Sequence, residues 1–233
     1  MKTFTFLTAF CLAILMTACS KKTDDTTTTT PCTWTTLFFD NFQRANGPLG
    51  TNWADAISFP PAPHNCGSGF FDILDSSMRV STENAYWAAW YTGAITGNKT
   101  RVSVKCFIPD SVGQRDFGVG GKATNPGTMN QICYFAAVAY DTLTIFKVNG
   151  TTSQYYTKQY APLIKNHEYR ITLTMDLGAL TATLEDLTSS QSTTVTATDT
   201  GTPLSGTGYS INGNTVEDKY VLFFHDFLVE SCQ

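Results

Sequence analysis

Catalysis by paired carboxylates needs two of them on one face of a strand. A spacing of two residues provides that, so one can attack while the other trades a proton. The nearest approaches in the chain are Glu185-Asp186 and Glu217-Asp218. Their members are adjacent, so in a strand they point to opposite faces, and both pairs read as solvated strand-end charges. Asp72 and Asp75 are the best pair that separate strands would have to bring together; beside Ser76-Ser77 they read as turn residues. Nucleophile chemistry is no better served. Ser68 sits in Cys66-Gly67-Ser68-Gly69, not in Gly-x-Ser-x-Gly. His64 and Cys66 share a loop rich in Pro and Gly, where no third orienting group is in view. His225, beside Asp226 in the last apolar run, reads as a structural histidine. Neither CxxC spacing nor any other zinc signature occurs.

The elements that must position such residues are strands. The chain has 233 residues, net charge −4 and abundant aromatics. Aromatic and β-branched residues favour pleated, half-buried surfaces. After Pro31, strand-like runs follow one another with turn chemistry between them, and no stretch keeps helical spacing. Val102, Val104, Cys106 and Ile108 alternate with Arg101, Ser103 and Lys105. Tyr169, Ile171, Leu173 and Met175 alternate with Glu168, Arg170, Thr172 and Thr174. Residues 131–140 are apolar on both faces and read as a central strand. Gly118, Gly120 and Gly121 in one run predict a bulge or a close approach by another backbone. Asn149-Gly150 is a tight-turn signal, and Asn212-Gly213-Asn214 reads as another turn. About a dozen strands at intervals of roughly 8–12 residues predict an all-β sandwich. The acidic balance and the lack of a Lys/Arg cluster argue against nucleic acid.

Both ends of the domain carry matched runs. LFFDNF begins at Leu37 and YVLFFHDF at Tyr220. Each passes through an Asp followed by Phe, or by Asn and then Phe, and the two are expected to lie side by side as first and last strands. Cys32 then faces Cys232, and a bridge there closes nearly the whole domain. Cys106 and Cys133 form either a second bridge or two buried thiols, and Cys66 is left over.

The first 31 residues read separately. Residues 1–18 form a signal peptide whose apolar run is too short to span a bilayer. Ala18-Cys19 resembles a bacterial lipobox, with Met16 where Leu is commoner, so Cys19 is the expected lipidation site. Ser20-Lys21-Lys22-Thr23-Asp24-Asp25 resembles the surface-export signal of Bacteroidota lipoproteins. Residues 19–31 are then a lipidated Cys and a Thr-rich tether, with the domain at 32–233. The implied address is the outer membrane, reached through the lipid anchor alone and facing outward.

Asp40-Asn41-Phe42-Gln43-Arg44, with Gly47, Leu49-Gly50 and Trp53, resembles the entry motif of concanavalin A-like lectin/glucanase domains, laminin-G-like members above all. Residues 130–150 are similar to their paired middle strands, 167–187 to their Tyr-Arg-Ile hairpin, and 225–229 to their closing strand. The resemblance covers about 37–230. It implies a jelly-roll β-sandwich of two curved antiparallel sheets. The hydrolases of that superfamily carry Glu-x-Asp-x-x-Glu; no Glu-x-Asp occurs here, and the implied domain is not an enzyme. The carbohydrate-binding modules often hold a structural calcium near the terminal strands, where Asp40 and Asp226 occupy matching places; calcium wants six or more oxygens.

Sugar recognition on a sandwich stacks aromatic rings on pyranose faces. The candidates are Trp87, Trp90, Tyr91, Tyr155, Tyr156 and Tyr160. Tyr86, Ala88 and Trp90 share one strand face, and Trp87, Ala89 and Tyr91 the other; Tyr155 and Tyr156 also point opposite ways. Trp34 and Trp53 are assigned to structure. Three functions follow from these readings: binding of a polysaccharide or other glycan, adhesion to protein or matrix through a sheet face, and glycoside hydrolysis at an unrecognised site.

Overall fold

Alternating apolar residues drive this chain into strands, and a computed structural model shows how they assemble. It describes residues 32–57, 71–80, 87–109, 115–128, 130–215 and 222–233. The strands are β1 (Trp34–Asp40), β2 (Gly47–Pro48), β3 (Trp53–Ile57), β4 (Phe71–Leu74), β5 (Ser77–Val80), β6 (Trp87–Tyr91), β7 (Lys99–Ile108) and β8 (Arg115–Thr124). They continue as β9 (Ile132–Ala139), β10 (Thr142–Asn149), β11 (Thr152–Tyr160), β12 (His167–Asp176), β13 (Ala179–Asp186), β14 (Gln191–Thr198), β15 (Gly208–Thr215) and β16 (Phe223–Cys232). No helix occurs among the described residues.

Two antiparallel sheets result. One runs β14-β13-β12-β7-β16-β5-β4-β2, with β1 also bonded to β16; the other runs β11-β10-β9-β8-β15-β6-β3. This is the expected jelly-roll sandwich. The terminal strands pair as predicted, Trp34 opposite Cys232 and Asp40 opposite Phe227. Cys32 and Cys232 are bonded, with Cα atoms 5.5 Å apart. Cys106 and Cys133 are not bridged: both are buried free thiols, one on the inner face of β7 and the other on the outer face of β9. Burial raises both thiols well above the ordinary value. Cys19 and Cys66 lie outside the described residues.

The main core fills the space between the sheets. Val102, Val104, Cys106 and Ile108 of β7 and Tyr169, Ile171, Leu173 and Met175 of β12 meet Phe117, Val119, Tyr134, Ala136, Val138, Tyr209 and Ile211 from the other sheet. Asn212-Gly213-Asn214 is not a turn. It lies inside β15, paired on one side with β8 and on the other with β6. Polar turn-formers are accommodated in that strand because Ser210 and Asn212 face away from the core while Tyr209 and Ile211 fill it.

Candidate functional site

The face of the seven-stranded sheet that points away from the core is also apolar. Antiparallel sheets usually present a polar face to water. Here Ala88, Trp90, Cys133, Phe135, Phe146 and Val148 form a second buried cluster on that outward face. Strand register explains its shape, because directly opposed residues share a face.

Two parallel rows cross the strands. One runs Tyr155 (β11), Phe146 (β10), Phe135 (β9), Gly120 (β8), Ser210 (β15) and Trp90 (β6). Ring centroids along it are 5.5 Å apart from Tyr155 to Phe146, 5.3 Å from Phe146 to Phe135 and 6.3 Å from Phe135 to Trp90. This makes an aromatic ridge. The neighbouring row is Thr144, Ala137, Gly118, Asn212 and Ala88. Its side chains are small, so it is a trough beside the ridge. With strands roughly 4.8 Å apart, the five positions span about 19 Å.

The glycines shape both rows. A Cβ on Gly120 would sit 2.5 Å from the Phe135 ring, which folds over that position. At Gly118 it would sit 2.3 Å from the Ala136 carbonyl oxygen. The close approach expected of these glycines is therefore real, and a register shift between Gly121 and Thr124 supplies the bulge as well.

A cavity of about 160 Å³ opens on the trough, lined by Phe135, Phe146, Tyr155, Thr144, Asn212 and Asp116 among others. Asn212 is 6% exposed, and its Nδ2 has no hydrogen-bond partner. The Trp90 Nε1 is likewise buried without one. An unmade hydrogen bond at a buried polar group costs on the order of 1–3 kcal/mol. Asn212 lines the cavity and Trp90 does not, so the orphaned donor that points to an acceptor arriving from outside is the Asn212 amide. Asp116 is buried too, and its Oδ1 accepts the Tyr140 N–H at 3.3 Å.

The structure divides the aromatic candidates. Tyr155 and Tyr160 are exposed on the outward face, at 69% and 70%. Trp90 faces outward but is 2% exposed, so it buttresses the ridge and offers no stacking surface. Tyr91 points the other way: it stacks on Phe38 at 3.9 Å and packs on the main core. Tyr156 also packs on that core. Burial first, and then the nearby Asp199, push its phenol up to about 12. The side chain of Trp87 lies outside the described residues; its backbone pairs with Gly213. Tyr140, at the β9–β10 turn, is an exposed aromatic that strand patterning missed. Strand patterning also gives no sign of Asn212 or Asp116 as cavity-lining residues: Asn212 reads as a turn residue, and Asp116 belongs to no motif.

The acidic candidates are occupied elsewhere. Asp40 accepts hydrogen bonds from the Phe42 N–H at 2.8 Å, Arg44 at 2.7 Å and Trp53 Nε1 at 2.8 Å. Burial pushes its carboxyl up, but those bonds outweigh burial and hold it below the ordinary value. Asp226 pairs with Lys105 at 2.7 Å. Each of the two expected calcium ligands is thus committed to a cation, Asp40 as the anchor of the entry turn. Asp72 pairs with Arg79 across the β4–β5 hairpin. Asp186 is not solvated: it is 7% exposed and bonded to His167 Nδ1 at 2.7 Å and the Ser189 hydroxyl. Glu185 pairs loosely with Arg170 at 3.4 Å. His225 is structural, with Nδ1 3.2 Å from the Ser77 hydroxyl, and burial lowers its basicity. Glu217-Asp218 and His64 lie outside the described residues.

The outward face of the nine-stranded sheet has a different character. A depression of about 470 Å³ is lined by Arg101, Lys105, Arg170, Glu185, Asp226 and Glu230, together with Phe39 and Leu228. Its charges pair as Arg101–Glu230, Lys105–Asp226 and Arg170–Glu185. Although larger, it offers no orphaned buried donor among the described residues, so the trough is the better site.

No family profile and no curated protein matches the chain. Solved structures do. A carbohydrate-binding module, CBM66 from Bacillus subtilis, aligns with a TM-score of 0.57 at 12% identity, covering 78% of this chain and 96% of that one. The CBM2 module of the evolved Dit of Lactobacillus casei BL23 phage J-1 gives 0.60 at 15% identity, covering 87% and 98%. Lectin II from Ulex europaeus gives 0.54 at 10%, covering 84% and 98%. The fold is that of lectins and carbohydrate-binding modules. At these identities the likeness speaks for the fold alone, and it agrees with the concanavalin A-like resemblance of the sequence.

Proposed function

We propose that this protein is a non-catalytic glycan-binding protein and that the outward trough of the seven-stranded sheet is its site. The observation that carries the reading is the pairing of an aromatic ridge, ending in the exposed Tyr155, with a trough that holds the orphaned amide of Asn212. A sugar ring has an apolar face for the one and hydroxyl oxygens for the other. The likeness to carbohydrate-binding modules and a lectin supports the same reading. Asp116 is the carboxylate among the described lining residues, and hydrolysis by the two-carboxylate route needs a second. In this proposal the Cys19 lipid anchor and Thr-rich tether display the domain outside the outer membrane. Affinity electrophoresis against a broad polysaccharide panel, with and without calcium, tests the reading. Retardation by one glycan class, lost in Tyr155→Ala, is expected; retardation by none overturns it.

A further inference from the structure

A second pocket lies where β8 ends. Between Gly121 and Thr124 that strand gains one residue against β9, and between Gly120 and Ala123 it gains one against β15. Lys122 is the residue that falls in both gaps, and its backbone takes the left-handed form, with φ at 56°. That conformation is uncommon for a residue with a side chain. Bulges recur where a strand must re-aim a side chain, and the side chain at this one is a lysine only 5% exposed. The loop after β14 presses on it: a Cβ on Gly206 would overlap the Lys122 carbonyl oxygen.

The charge is the anomaly. Lysine is almost never fully buried unless it is paired. The Lys122 ammonium donates to the Gly97 carbonyl oxygen, and no carboxylate pairs with it among the described residues. Burial lowers its basicity without a counter-charge to offset that. The acids beside the pocket are already matched, Asp176 with Lys99 at 3.2 Å and Asp199 with Lys147 at 2.8 Å. An ammonium has three donors, and the Gly97 carbonyl uses one.

Lys122 borders a pocket of about 260 Å³, which Gly97, Thr96, Ser205, Leu177 and Leu204 also line. Thr96 and Ser205 are exposed, and so is Leu177. The volume lies just under the roughly 300–1,000 Å³ of sites for drug-sized ligands, so it suits a single sugar-sized unit. Trough and pocket are separate: Asp116 and Phe117, near the start of β8, line the one, and Lys122, near its end, lines the other.

We infer that this pocket is a second binding site, which takes the anionic group of an acidic sugar, a carboxylate or a sulfate ester, on the Lys122 ammonium. Hydroxyls of the sugar meet Thr96 and Ser205, and its apolar side meets Leu177 and Leu204. Charge-assisted hydrogen bonds are the strong ones, roughly twice a neutral bond. The inference rests on the glycan reading above only for the carrier of the charge; the site itself does not depend on the trough.

Titration calorimetry of the protein tests it. The probes are short oligomers of galacturonate, mannuronate and glucuronate, each beside its carboxyl-reduced form, and a sulfated galactan oligomer beside its desulfated form. At least one charged oligomer should bind tenfold or more tighter than its neutral form, and the pair that shows the difference identifies the source of the charge. Lys122→Met should abolish that difference, and Tyr155→Ala should leave it intact. Should Lys122→Met fail to fold, Ser205→Trp fills the pocket from an exposed loop and should block the charged oligomer. If the charged oligomer binds and neither variant weakens it, the pocket is wrongly assigned. If charged and neutral forms bind alike, or no charged oligomer binds while the polysaccharide panel still yields a ligand, this inference is overturned and the glycan reading stands. If a peptide with a free C-terminal carboxylate binds at Lys122 and no acidic sugar does, the sugar carrier is wrong. If nothing in either set binds, both readings fall.

Discussion

Asp199 gives the sharpest test of how the sheet beneath the ridge is held. The residue is 8% exposed. Its Oδ2 accepts from the Tyr134 hydroxyl at 2.7 Å and from Lys147 Nζ at 2.8 Å, and its Oδ1 accepts the Gly201 N–H at 3.0 Å. The Tyr134 oxygen in turn accepts the Leu204 N–H at 3.1 Å. One carboxylate thus ties β9 and β10, the strands that carry Phe135 and Phe146, to the segment after β14. Burial pushes the carboxyl up, but the bonds from Lys147 and Tyr134 outweigh it and hold it at about 2. Against an ordinary value of about 3.9, a lowering of nearly two units corresponds to about 2.5 kcal/mol of stability. Because the folded value is depressed, that contribution is complete above about pH 4 and disappears as pH falls toward 2. Asp199→Asn removes the charge and leaves the partly buried Lys147 without its partner, so its cost at pH 7 should be about 3 kcal/mol, and more than half of that should depend on pH. Urea unfolding of wild type and variant between pH 7 and pH 2 measures the gap. It should be flat down to about pH 4 and then narrow by about 2 kcal/mol. A gap that stays constant to pH 2 would refute the assignment of Asp199 as an ionised, bonded carboxylate.

Other perturbations separate packing from recognition. Tyr155→Ala should weaken glycan binding at least tenfold yet leave stability within about 0.5 kcal/mol, since the residue is largely exposed. Tyr91→Ala should do the reverse, costing roughly 2 kcal/mol with affinity unchanged in the folded fraction, because the half-buried ring stacks on Phe38 against the core. Reducing the Cys32–Cys232 bridge, which closes a loop of separation 200, should cost about 4–5 kcal/mol on the chain-entropy model; thermal unfolding with and without reductant reads it. Cys106 and Cys133 should resist a thiol reagent in the native domain and react once it unfolds, as buried thiols do. Cys19→Ala should move the protein from the detergent phase to the aqueous phase of a detergent partition; no shift would refute the lipid anchor proposed at that residue.

The strands and their closure were legible because alternation is a local signal. β7 and β12 appear in the sequence with the faces they adopt, and the matched terminal runs pair as their composition indicated. The entry motif was legible too, although Asp40 turns out to hold Arg44 and Trp53. What the sequence did not carry is whatever depends on register between distant strands. Asn212 looked like a turn because Asn-Gly-Asn is turn chemistry. Only pairing with β6 and β8 makes it a strand residue and places its amide beside Gly118 and Ala88. Trp90 looked like a stacking surface because alternation says which face a ring is on and nothing about what covers that face.

The ridge itself depends on a feature that alternation cannot predict. Tyr155 and Tyr160 are five residues apart, so a regular strand would send them to opposite faces. They share the outward face because β11 gains one residue against β10: Thr157 opposes Ile145, but Tyr155 opposes Phe146, and Tyr156 is the extra residue. That bulge turns Tyr156 toward the core and leaves Tyr155 against Phe146 at the mouth of the trough. Bulges recur where a strand must re-aim a side chain. A deletion of Tyr156 would restore regular pairing, leave Tyr155 and Tyr160 four positions apart on the outward face, and remove the ring that the bulge turns toward the core. The shared face of the two exposed tyrosines, five residues apart in this chain, therefore rests on a single inserted residue, and the aromatic count of β11 alone could not have shown it.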